Sequence, residues 1–201
     1  MPTLVRRAPW LLLLLALGGS QAQAAPVSWN VEAPGRGLAL AVEQATPGAP
    51  LTYRVELGPP AARRTVLPSS PLGLRRADEE FVAGLRPGAP SRRTVNERYE
   101  LVRGKRRQLV ARANELVVPF TNPQGHRMEI VVRAYDEGVA FRYRFPEKDA
   151  RPVWVVGEET GFRLPPEARA WLMPHDDPSK WHPAYEAAYL DDVPAGTPSP
   201  K

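Results

Sequence analysis

The chain has 201 residues, 43 % of them hydrophobic, with no cysteine and a formal charge of +5. That is one domain's worth of ordinary globular composition. It excludes a disulfide framework and thiol chemistry, although a domain of this size needs no covalent staple. Arg6 and Arg7 supply two of the charges, so the excess beyond them is mild and argues for solubility, not for a nucleic-acid footprint.

The first 24 residues read as a signal peptide. Arg6 and Arg7 form a basic start, residues 11–17 form an apolar run, and Ala22, Gln23 and Ala24 form an A-x-A cleavage pattern. The run is far shorter than the ~20 residues of a membrane span. The expected organisation is a leader over 1–24, a domain over 25–190, and a tail over 191–201. The location expected from the leader is periplasmic or secreted.

Beyond the leader, hydrophobic residues recur mostly every second position. Leu38, Leu40 and Val42 alternate with Ala39, Ala41 and Glu43; Leu51, Tyr53, Val55 and Leu57 alternate with Thr52, Arg54 and Glu56. Each pattern predicts a strand with one face in a core and the other in solvent. Gly and Pro clusters at 47–48, 58–60, 87–88 and 123–125 predict turns. Met128 to Tyr135 and the alternation Val139, Phe141, Tyr143, Phe145 flank Asp136-Glu137-Gly138, which predicts a hairpin with φ > 0 at its last loop residue. Many short alternating runs with frequent turns predict an all-β fold, an antiparallel β-sandwich over most of 27–174.

Residues 91–112 are rich in Arg and Lys. A polyanion patch is the sharper reading. The flanking Tyr99, Leu101, Leu109 and Val110 favour the plainer one, a solvated antiparallel pair turning around Gly104. Trp154 and Trp171 lie in strand-like runs and are expected in a core. Trp181, Tyr185 and Tyr189 lie in a loop-like stretch among prolines, suited to a sugar face or an interdomain contact. The tail carries Pro194, Gly196, Pro198 and Pro200, as an interdomain loop would, so the sandwich is expected to be incomplete at its C-terminal end.

No catalytic constellation assembles. There is no H-E-x-x-H, no Gly-rich phosphate loop and no G-x-S-x-G. His126 falls in a Gly-flanked turn and is expected to be exposed. His175 and His182 lie near Asp176 and Asp177, where a metal site competes with a solvated polar loop. The adjacent pairs Glu158/Glu159 and Asp176/Asp177 point to opposite faces of a strand, so neither gives a glycosidase's facing carboxylates.

The run from Arg133 to Pro146 (RAYDEGVAFRYRFP) strongly resembles the N-terminal domain of glycoside hydrolase family 97. Ser70-Pro-Leu-Gly-Leu74, Asn114-Glu115-Leu116 ahead of a strand pair, Glu158-Glu159-Thr160-Gly161-Phe162, and Ala170-Trp171 agree with it in order and spacing. The stretch from Trp181 to Tyr189 is similar to a loop carrying Tyr-Glu. The resemblance implies an exported exo-acting α-glycosidase acting on α-linked oligosaccharides. It also implies an N-terminal β-super-sandwich, a catalytic (β/α)₈ barrel that this chain lacks, and calcium in the active site. Glu186 matches the one calcium ligand that the N-terminal domain contributes. Substrate contacts are expected from Trp181, Tyr185 and Tyr189, and no catalytic residue from this chain. Two functions follow: a supporting domain of a calcium-dependent glycosidase, or a free-standing carbohydrate-binding or structural sandwich. A free-standing module is expected to close its sheets before Lys201, whereas a supporting fragment leaves unpaired strand edges and exposed apolar area.

Overall fold

A computed structural model describes residues 25–103, 105–147, 152–172 and 190–194. These hold fourteen strands and no α-helix, and no described helix is long and apolar enough to cross a membrane. The front sheet joins β1 (Val27–Glu32), β2 (Leu38–Gln44), β3 (Leu51–Leu57) and β4 (Arg64–Leu72) in that order. The back sheet runs β11 (Val139–Arg144), β10 (Arg127–Tyr135), β9 (Gln108–Thr121). The far edge of β9 takes two strands in succession, β7 (Arg86–Pro87) and β8 (Ser91–Glu100). All these pairings are antiparallel, so the expected antiparallel sandwich is the observed one.

Period-two side-chain direction builds the core between the sheets. The front sheet sends in Trp29, Val31, Leu40, Val42, Leu51, Tyr53, Val55 and Leu72. The back sheet answers with Leu116, Val118, Phe120, Met128, Ile130, Val132 and Ala134. Trp29 meets the edge of Phe120 with ring centroids 5.4 Å apart, and Tyr53 meets Phe141 at 5.0 Å. Phe141 and Tyr143 share one face, their rings 6.3 Å apart, while Ala140, Arg142 and Arg144 face out. The buried Gln44 amide is satisfied: its side chain donates to the carbonyls of Ala49 (3.1 Å) and Leu85 (2.9 Å).

Three expectations are corrected. Ala39 and Ala41 are buried, although they face away from the core. They lie in register with Glu32, Glu56 and Arg54, whose long arms pair as Arg63–Glu32, Arg54–Glu43 and Arg54–Glu56. A methyl group beneath such stems is covered without being in a core. Gly138 does not take a positive φ, although it ends the predicted hairpin loop. The hairpin closes by Tyr135–Gly138 backbone bonds instead, and Asp136 accepts from the amides of Gly35 (2.7 Å) and Arg36 (3.2 Å). Pro87-Gly88 is no turn. The chain keeps to the edge of β9 there, and the Gly88 amide donates to the Pro119 carbonyl at 2.8 Å. Asn114, Glu115 and Leu116 lie within β9, ahead of the β10–β11 pair as expected.

A smaller layer continues the chain. β5 (Leu74–Arg76) pairs with β6 (Glu80–Phe81) and with β12 (Val155–Glu158), and β13 (Arg169–Leu172) pairs with β14 (Leu190–Pro194). The last pair carries regular structure four residues past the expected domain end at 190.

Candidate functional site

Trp181, Tyr185, Glu186 and Tyr189 lie outside the described residues, as do His175, Asp176, Asp177, His182 and the leader. What the structure does place is the segment leading towards them. Residues 159–163 lie along the end of β4, with the Glu159 amide on the Gly73 carbonyl (2.9 Å) and the Gly161 amide on the Pro71 carbonyl (3.1 Å). Three side chains from the sandwich hold this segment. Tyr53 donates its hydroxyl to the Gly161 carbonyl at 2.9 Å. Tyr143 shares a 2.7 Å hydrogen bond with the Thr160 hydroxyl and accepts from the Gly73 amide at 2.9 Å. The Ser70 hydroxyl donates to the Pro68 carbonyl and accepts from the Arg163 amide. Burial raises the pKa of both phenols, Tyr53 further by the nearby Tyr143, so each stays a neutral donor at ordinary pH.

Period-two reasoning assigns Tyr53 and Tyr143 to a core face and stops there. Their hydroxyl role had a legible signal: a tyrosine on a buried face must find its O–H a partner. Gly161 fits the same contact, because a Cβ there would stand 3.0 Å from the Pro71 ring.

The aromatics of this region are exposed. Trp154 is 75 % accessible and Trp171 59 %, contrary to the expected core placement, and Phe162 is 68 % accessible. The sandwich core is already filled by the two main sheets. β12 is an edge strand of the smaller layer, outside that core.

Two charged clusters bear on a candidate site. Glu115 is 4 % exposed on the outer face of the back sheet, between Arg93 (2.6 Å) and Arg133 (2.7 Å), its register partners on either side. The Arg93 hydrogen bond, with Arg133, holds its carboxyl below the usual range against the opposing effect of burial. That is the reverse of what a general acid needs. The second cluster lines a cleft of about 290 Å³. Arg76 forks onto both Asp78 oxygens (2.9 and 2.7 Å), reaches Glu147 at 3.2 Å and stacks 4.7 Å from the Phe145 ring. His126, exposed as expected, lies 2.5 Å from Glu79, which also accepts from Asn122. The Arg76 guanidinium is already satisfied by two carboxylates, so the cleft acts as a clasp between β5 and residues 145–147.

Among the described residues no three His, Cys, Asp or Glu side chains gather as a metal site would require. A glutamate is the right hard-oxygen donor for calcium, but six to eight oxygens are needed. Most of that set would have to lie outside the described residues.

The profile described as Glycosyl-hydrolase 97 N-terminal matches residues 31–200. A curated protein of Streptomyces bingchenggensis (strain BCW-1), named as a probable retaining alpha-galactosidase, is 38 % identical over 178 residues, which cover 84 % of this chain and 27 % of that protein. A crystal structure of a beta-arabinopyranosidase superposes with a TM-score of 0.72 at 32 % identity, over 83 % of this chain and 26 % of that one. A glycoside hydrolase family 97 enzyme from Pseudoalteromonas sp. strain K8, in complex with panose, superposes at 0.62 with 23 % identity and shares the fold, over 73 % of this chain and 22 % of that one. The chain thus spans about a quarter of the length of these relatives. From the profile match and the 38 % identity together, the chain belongs to glycoside hydrolase family 97, with the sequence and fold of its N-terminal domain.

Proposed function

We propose that this chain is the N-terminal supporting domain of an exported, calcium-dependent, exo-acting α-glycosidase. One observation carries the reading. The sandwich closes its own core, yet large apolar side chains stand in solvent along 153–171, at Trp154, Val156, Phe162 and Trp171 among others. Exposed aromatics in that number ask for a partner surface. The relatives are about four times as long as the part this chain matches, and a catalytic domain docked on this strip would cover it. A free-standing module would have no use for it.

On this reading the anchors at Tyr53, Tyr143 and Ser70 fix residues 159–163, and so fix where the chain departs towards 181–189. Glu186 would offer a carboxylate to calcium. Trp181, Tyr185 and Tyr189 would pack beside it against the sugar or the catalytic domain. Bound there, calcium would supply charge stabilisation and a template for the sugar. The substrate class is an α-linked galactoside or a related oligosaccharide, by analogy with the relative named as an alpha-galactosidase.

The test is a chimera in which this chain replaces the matching N-terminal part of the Streptomyces relative. Glu186→Gln in that chimera should weaken calcium binding at least tenfold and lower turnover of nitrophenyl α-galactoside. Unchanged calcium affinity and turnover would refute the ligand assignment.

A further inference from the structure

We propose that the projecting β8–β9 ribbon is a docking arm for an anionic lipid surface. β8 pairs with β9 from Ser91↔Val117 to Glu100↔Gln108, whereas β10 pairs with β9 only as far as Ala113. Residues 96–100 and 108–112 therefore stand clear of the sheet as a two-stranded ribbon, about 17 Å long at 3.4 Å per residue. The Leu101 amide bonds the Arg107 carbonyl at 2.7 Å and carries the pairing one step further towards the tip.

Charge is concentrated here to an unusual degree. Residues 91–112 hold eight Arg or Lys and two Glu, a net +6, against +5 for all 201 residues. The rest of the chain is therefore net negative. Glu115 engages Arg93, Glu100 engages Arg107, and Arg92 reaches the Asn30 carbonyl. Arg98, Arg103, Lys105, Arg106 and Arg112 have no ion-pair partner among the described residues.

The same ribbon exposes aliphatic and aromatic side chains. Val102, at its end, is 99 % accessible, and Tyr99, Leu101 and Val110 are also exposed. Tyr99 lies opposite Leu109 and Arg98 opposite Val110 in the register, so apolar and cationic side chains are interleaved along the ribbon. This pairing of chemistries selects the partner. A phosphate backbone or a hydrated polysaccharide satisfies the cations but gives Leu101 and Val102 nothing. An anionic bilayer answers both, with headgroups at the depth of the cations and an apolar phase just below.

The test is flotation of the full chain with vesicles of phosphatidylglycerol and phosphatidylcholine, and with phosphatidylcholine alone. All variants carry the same leader, so its apolar run contributes equally to each. Binding should require the anionic lipid and fall at least tenfold in Arg103→Glu/Arg106→Glu. In Leu101→Ser/Val102→Ser it should fall severalfold and become fully salt-sensitive. All four side chains lie outside the buried core, so folding is not at stake. Failure of the wild type to bind, or equal binding by the charge-reversed variant, would overturn the proposal. So would unchanged lipid binding by the serine variant, which would leave only a general polyanion patch.

Discussion

Trp29 and Trp154 have opposite fates in one molecule. Trp29 is 7 % exposed, wedged edge-on against Phe120 between two sheets that fill the space between them. Trp154 is 75 % exposed beside an edge strand that no second sheet covers among the described residues. The difference is one of layers. A strand buries its aromatic face only where another layer opposes it, and among the described residues no such layer opposes β12 or the aromatics of 159–171. The two main sheets oppose each other; among the described residues nothing opposes the strip.

That contrast makes graded predictions. Phe120→Ala should cost about 3–5 kcal/mol, because the ring is fully buried and its cavity lies where Trp29 packs. A thermal melt should fall by roughly 6–20 °C in a domain of this size. Glu115→Gln should cost about 2 kcal/mol, since Arg133 loses its buried partner but keeps access to water and Glu97. The variant also tests a pH dependence. An unfolded glutamate titrates near 4.3, and the folded Glu115 lies lower. Its contribution is therefore present above about pH 4.3 and lost as pH falls through the lower folded value. Acid melts should show a flatter decline in Glu115→Gln than in the parent.

Tyr143→Phe tests the joint between the two regions. It removes the Thr160 bond and leaves the Gly73 amide without its acceptor, at a cost of about 1–3 kcal/mol. Hydrogen exchange should quicken at residues 159–163 while the β9 and β10 amides keep their protection. The parent should also lose stability as pH rises above about 10, where the unfolded phenols ionise before the raised folded ones. Replacing both Tyr53 and Tyr143 by Phe should flatten that alkaline limb. Trp154→Ser should be the smallest effect, within about 0.5 kcal/mol. A large loss there would mean that the strip is core after all.

The sandwich was legible wherever alternation and burial coincide. Leu40, Val42, Leu51, Tyr53 and Val55 read inward and are inward, because each side-chain row meets an opposing sheet. Periodicity failed where burial has another cause. Ala39 and Ala41 are covered by the arms of neighbouring ion pairs, and Trp154 and Trp171 sit in strand-like sequence with no layer above them among the described residues. The anchors at Tyr53 and Tyr143 were half-legible: their faces followed from period two, but their partners at Gly161 and Thr160 lie 108 and 17 residues away. The expectation for Glu186 rests only on the family resemblance, because a single glutamate carries no spacing signal of its own, and it lies outside the described residues.

The central claim is that this domain supports a reaction performed elsewhere. It is tested most directly by nitrophenol release from nitrophenyl α-galactoside, comparing the chain alone with the chimera carrying the relative's remaining three quarters, at equal concentration. The account predicts turnover by the chimera and none by the chain above a mock preparation. Steady release by the purified chain alone would contradict it.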